Sequence, residues 1–149
     1  MAYLLETNVL VRLANAADAR YALADRAVME LHRRGEVLHI TPQVLIEFRN
    51  LATRPRARNG LGLSTVDAEI QSAGFETRFP LLMETPDIYP AWKALVSALP
   101  VIGKQVHDAR LVAVFHVHAV THLLTFDVSD FVRMAAHAPG LVVVDPASV

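Results

Sequence analysis

Four acidic residues, Glu6, Glu47, Asp108 and Asp127, stand where a carboxylate is expected to do chemistry. Glu6 follows the apolar run Tyr3-Leu4-Leu5, and Asp127 follows His122-Leu123-Leu124-Thr125-Phe126. A charge abutting such a run must be paired or solvated by a cleft. Carboxylates brought within a few ångströms of one another repel, and a cation keeps them ionised. The chain has no cysteine, so oxygen donors dominate and Mg²⁺ or Mn²⁺ is the ion they suit. Such an ion orients and activates water and offsets charge on a phosphodiester; one ion or two fit this chemistry equally. Taken singly, Glu47 and Asp108 read more readily as ordinary exposed helix residues.

For acids so far apart to meet, the elements between them must return the chain repeatedly to one edge. Residues 2–5 read as a buried strand, and Thr7 and Asn8 as caps of a helix carrying Val9, Leu10 and Leu13. A helix over 19–34 stops at Gly35, and residues 37–40 are strand-like. Thr41 caps a helix over 43–53 with Pro42 in its first turn, and Pro55 ends it. Residues 56–62 read as a loop, and Ser64 or Thr65 caps a helix to about Thr77. A strand is expected over 79–83, helices over 87–99 and 105–118, and strands over 121–125 and 141–144. Alternating apolar strands and helices predict an α/β fold: a central, mainly parallel sheet flanked by helices, as a single domain over 1–149. Right-handed crossovers then bring every strand's C-terminal end to one edge.

Bulk composition excludes several alternatives. Hydrophobic residues make up 53% and charged residues 19%, which supplies a core and argues against disorder. The formal net charge of -1 argues against a uniformly basic nucleic-acid surface. Of the 14 basic residues 12 are Arg, a bias that suits planar recognition of phosphate and carboxylate but equally fits an Arg-rich genome. Without cysteine there are no disulfides and no thiol chemistry. The N-terminus lacks a signal-peptide pattern, and the apolar stretch 111–126 is broken by His116, His118 and His122, so a cytoplasmic location is expected. The histidines make no zinc motif, Gly60 and Gly62 make no phosphate loop, and no Gly-x-Ser-x-Gly occurs. Trp92 reads as core or dimer interface.

The segments Leu4-Leu5-Glu6-Thr7-Asn8-Val9-Leu10, Pro42-Gln43 through Glu47-Phe48, Val106-His107-Asp108-Ala109-Arg110 and Leu124-Thr125-Phe126-Asp127 with Asp130-Phe131 occur in the order found in PIN-domain ribonucleases. Over essentially its whole length the chain resembles that family, and within it the toxins of VapBC-type toxin–antitoxin systems. The resemblance implies a PIN-like α/β/α sandwich and a Mg²⁺- or Mn²⁺-dependent endoribonuclease that is inhibited by a cognate antitoxin protein and forms a homodimer. It further implies that Glu6, Glu47, Asp108 and Asp127 are the acids of the site, with Glu6, Asp108 and Asp127 holding the metal. Asp130 would be a further acid nearby, Thr125 would hydrogen-bond within the site, and Asn8 would brace the exit of the first strand.

The first acid departs from the family, which has Asp where this chain has Glu6. The extra methylene adds length and a torsion to a position where sub-ångström geometry matters. Three consequences are open: an adapted enzyme, a weakened one, or a module that folds and binds a protein partner or RNA without efficient cleavage. A carboxylate-rich phosphatase or DNA nuclease is a further reading. Arg54, Arg56 and Arg58 form a basic patch suited to RNA phosphates, to an acidic antitoxin tail, or simply to solvent; Lys104, Arg110 and Arg12 are further candidates for phosphate contact.

Overall fold

The computed structural model describes residues 1–149. Four strands, β1 (Ala2–Leu5), β2 (Val37–His39), β3 (His122–Leu124) and β4 (Val142–Val144), form one sheet in the order β2-β1-β3-β4. All three pairings are parallel, with Leu4 opposite His39 on one side and Leu123 on the other, and Leu123 opposite Val143. Parallel strands whose two faces are covered should be apolar throughout. Tyr3, Leu4, Leu5, Leu123 and Leu124 are accordingly buried in one continuous core. The chain goes from β1 outward to β2 and later returns to place β3 on the other side of β1. The order therefore reverses between β1 and β3, and a cleft opens beyond the carboxyl ends of strands at such a point.

Seven helices flank the sheet: α1 (Thr7–Leu13), α2 (Tyr21–Arg33), α3 (Pro42–Thr53), α4 (Thr65–Arg78), α5 (Ile88–Ala98), α6 (Gln105–Val117) and α7 (Val128–Ala135). Thr41 caps α3 through Val44 N, and Ser64 caps α4 through Asp67 N, each satisfying an amide that the first turn leaves free. Phe48, Phe75 and Phe79 bind α3 to α4, with Phe48 edge-on to Phe75 at 5.1 Å. Along α6, Ala109 and the run from Leu111 to Phe115 are buried, so this helix is apolar nearly all round because it is covered on several sides. No helix is long and apolar enough to cross a membrane.

The structure corrects two local expectations, the strand over 79–83 and the cap of α1. The segment 79–83 is not a strand: only Leu81 bridges Ile40, in parallel, beside bonds from Ile40 N to Pro80 O and from Leu82 N to Ile40 O. Pro80 lacks the amide hydrogen that a longer ladder would need. At α1 the cap is Glu6, whose side chain accepts from Asn8 N, while Thr7 is already helical. The segment after Asp127 is helical as α7, with Phe131 and Met134 turned into the core. The expected loop at 56–62 contains a short 3₁₀ turn, Arg56–Arg58.

Candidate active site

A cleft of about 970 Å³ lies beyond the carboxyl ends of β1 and β3. Glu6, Glu47, Asp108 and Asp127 all line it. Each comes from a different element: Glu6 ends β1, Asp127 sits just before α7, Glu47 lies in the middle of α3, and Asp108 lies in the first turn of α6. A helix's first turn favours an acid, because its free amides and dipole are positive there. The strand reversal between β1 and β3 is what puts Glu6 and Asp127, 121 positions apart in sequence, on one wall.

Hydrogen bonds lock the wall together. Asn8 Nδ2 donates to Thr125 Oγ1 at 3.2 Å, and Asn8 Oδ1 accepts from Phe126 N at 3.2 Å. The fully buried Thr125 hydroxyl also accepts from Asp127 N at 2.9 Å and makes a longer 3.4 Å bond to Glu6 Oε2. Glu6 Oε2 in turn accepts from Asn8 N at 3.1 Å. Glu47 is held from two sides, by Thr7 Oγ1 at 2.6 Å and by Gln43 Nε2 at 2.8 Å. Asp108 is different: its Oδ2 is buried and has no hydrogen-bond partner.

Electrostatics follow from this crowding. Burial pushes the Glu6 carboxyl up to about 7; the Asn8 amide opposes the shift, and Asp127, Glu47 and Asp108 add to it. Burial also pushes the Asp108 carboxyl up to about 6, with Lys104 opposing and Asp130, Glu47 and Asp127 reinforcing. Removal from water and like-charge repulsion thus act together on these two groups. No three acids or histidines are gathered into a ready cluster of metal ligands. Asp130 stands outside the cleft lining, and its Oδ2 is 3.1 Å from Lys104 Nζ, which is also 3.9 Å from Asp127 Oδ2.

The basic candidates separate in space. Arg12, Arg54, Lys104 and Arg110 line the cleft. Arg56 faces a second, smaller cavity and donates to Leu61 O at 3.1 Å, while exposed Arg58 lines neither cavity. Arg12 lies 3.4 Å from Asp18. Arg110 is engaged by Glu84 Oε2 at 2.5 Å and Gln43 Oε1 at 2.8 Å. Trp92 is half-buried and donates its indole N–H to Val106 O at 2.8 Å, just ahead of Asp108.

Thr7, Gln43 and Glu84 hold site residues, and sequence reasoning assigned none of them that role. For Gln43 a signal existed: it lies four positions before Glu47, hence on the same helical face. For Thr7 and Glu84 the partners are 40 and 26 positions away, and no local pattern announces them.

Comparison with known proteins agrees with this architecture. No curated protein matches the sequence. Among solved structures, VapBC2 from Rickettsia felis, bound to a DNA fragment from its promoter, superposes with a TM-score of 0.71 at 18% identity, covering 97% of this chain and 98% of the other. Mycobacterium tuberculosis VapC20, a Sarcin-Ricin loop cleaving toxin, gives 0.65 at 23% identity, covering 88% and 94%. FitAcB from Neisseria gonorrhoeae gives 0.69 at 14% identity, covering 99% of both. At these identities the likeness is one of fold. The PIN domain family model matches residues 3–136, nearly the whole chain. The chain therefore belongs to the PIN-domain family.

Proposed function

We propose that the protein is a divalent-metal-dependent endoribonuclease and the toxin of a toxin–antitoxin pair. The observation that carries this reading is the meeting of Glu6, Glu47, Asp108 and Asp127 on one cleft, with a buried Asp108 oxygen that nothing in the protein satisfies. Buried polar atoms without partners are rare and point to an absent ligand or a functional role. An all-oxygen donor set with two carboxyls pushed up by burial, and further by neighbouring acids, suits a hard cation, Mg²⁺ with Mn²⁺ as substitute. Asp108, Asp127 and Glu6 would hold it, directly or through water. When bound, the ion supplies a Lewis acid that eases ionisation of water and offsets charge on the phosphodiester.

The protein's own groups do the rest. Glu47, fixed by Thr7 and Gln43, orients the attacking water and accepts its proton. Thr125 and Asn8 keep Glu6 and Asp127 in register. Arg54 and Arg12 offer guanidinium groups to RNA phosphates along the cleft. Similarity to toxins solved with their antitoxins supports an antitoxin protein as partner. Exposed Ile46 at the cleft, with Tyr89 and Ile102 elsewhere, offers apolar surface for that partner or for a second copy.

The test is cleavage of RNA by the purified chain, freed of any partner, with Mg²⁺ or Mn²⁺ and with chelator. Metal-dependent cleavage abolished by Asp108→Asn is expected. No cleavage with either ion, or indifference to Asp108→Asn, overturns the reading, and parallel assays on DNA and small phosphate esters separate a DNA nuclease or phosphatase. A second reading, a binding module with weakened catalysis, is favoured by one observation: Glu6 spends its carboxylate on capping α1 and lies 8% exposed.

A further inference from the structure

Gln43 is nearly buried, yet every hydrogen-bonding atom of its amide is used. Its Nε2 donates to Glu47 Oε1 at 2.8 Å and to the main-chain oxygen of His107 at 2.9 Å. Its Oε1 accepts from Arg110 Nη1 at 2.8 Å, and Arg110 Nη2 donates to Glu84 Oε2 at 2.5 Å. The chemistry fixes the direction of the amide. A guanidinium only donates and a carboxylate only accepts, so Oε1 must face Arg110 and Nε2 must face Glu47. The contact to His107 reaches the residue just before Asp108, on a helix 64 positions away. One side chain thereby ties Glu47 on α3 to the start of α6.

We propose that Gln43 is a positioning residue that sets the separation of Glu47 from Asp108, and that Arg110 acts through Gln43 instead of on RNA phosphate. This rests on the reading of those two acids as parts of one metal-dependent site. Partners that orient ligands are commonly worth about 10–100-fold in metal affinity or activity. Gln43→Ala is expected to lower kcat and Mn²⁺ affinity by about 10-fold or more, with KM for RNA within about twofold. Gln43→Met, which restores length without polar atoms, should behave like Gln43→Ala, whereas a packing role would be rescued by it. Gln43→Glu should fare no better than Gln43→Ala, since it sets a second carboxylate against Glu47.

Arg110→Ala should reduce kcat on its own and add nothing to Gln43→Ala. Multiplying effects of the two substitutions, or an Arg110→Ala effect confined to KM and its salt dependence, would overturn the proposal. So would normal Mn²⁺ binding by calorimetry together with normal kcat in Gln43→Met. One readout stands apart from activity: in nuclear magnetic resonance the Gln43 side-chain amide protons should be slow to exchange with water, and should exchange faster in Arg110→Ala. If the native chain cuts no RNA, the functional reading fails while this amide signal still decides whether Gln43 is clamped. A freely exchanging Gln43 amide in the native protein would end the proposal.

Discussion

The Thr125 hydroxyl accepts a hydrogen bond from the backbone N–H of Asp127 at 2.9 Å, while its other partners reach back to Asn8 and Glu6. A single buried oxygen thus couples the exit of β3 to the exit of β1. Thr125→Val keeps the shape and removes the acceptor, leaving buried donors unmet, which costs about 1–3 kcal/mol. Denaturant unfolding should read that loss, and cleavage should fall with it; Thr125→Ser should recover most of both.

Asp108 carries a buried, unpartnered oxygen beside other acids. Asp108→Asn is expected to cut RNA cleavage by more than about 100-fold, beyond the range of residues that only brace ligands. The same change removes a repelled charge, so the metal-free variant should melt above the native protein. Calorimetric melting in chelator checks the second half, and a lower Tm would show that the carboxylate is stabilising in place.

The pH dependence of stability follows from the two shifted carboxyls. Burial holds Glu6 at about 7 and Asp108 at about 6 in the folded state. In the unfolded chain carboxyls titrate near roughly 4. Between those values the folded protein binds more protons, so its stability declines as pH rises from about 4 to about 7. This contribution is greatest below the unfolded values and is gone above the folded ones. Thermal melts in chelator should show the decline, Glu6→Gln should flatten it, and saturating Mg²⁺ should oppose it by favouring the ionised forms. Cleavage at limiting Mg²⁺ should rise over pH 6–7, the range of the two folded-state values.

Glu6 folds back to cap α1 through Asn8 N at 3.1 Å, a bond that the shorter Asp also makes well at such positions. Glu6→Asp should therefore leave stability within about 1 kcal/mol. If the site has adapted to Glu6, cleavage and Mn²⁺ affinity in Glu6→Asp should rise by no more than about tenfold, or 1.4 kcal/mol. A much larger gain would establish the weakened-module reading.

Gly60 packs so tightly on Arg54 that a Cβ would stand 2.0 Å from the Arg54 carbonyl oxygen. The other near atoms are the Arg54 carbonyl carbon and Cβ, both 2.4 Å away, and neither belongs to a flexible side-chain end. Gly60→Ala should destabilise by about 2 kcal/mol or more, as strain of this kind does, and should displace the turn carrying Arg54 and Asn59 into the cleft. Faster proteolysis after Arg56 or Arg58 and weaker, less salt-sensitive RNA binding are the measurements; unchanged values would mean that the turn relaxes freely.

The sequence by itself located the four strands to within one residue at each end, the alternation of strands and helices, and the cap Thr41, and it narrowed the cap of α4 to Ser64 or Thr65, because each is written in a few neighbouring residues. It pointed to Glu6 and Asp127 for the same reason: a charge that closes an apolar run is a local signal. It assigned nothing to residues 128–135, which form α7, and it extended a strand over 79–83 where Pro80 permits one bridge. Only the tertiary structure decided that β1 lies between β2 and β3, and hence that four distant acids share one cleft. It also divided the arginines, turning Arg54 into the cleft and Arg56 away, and it joined Gln43 to His107 and Arg110. Those contacts depend on how separate segments pack through space, and no spacing along the chain encodes them.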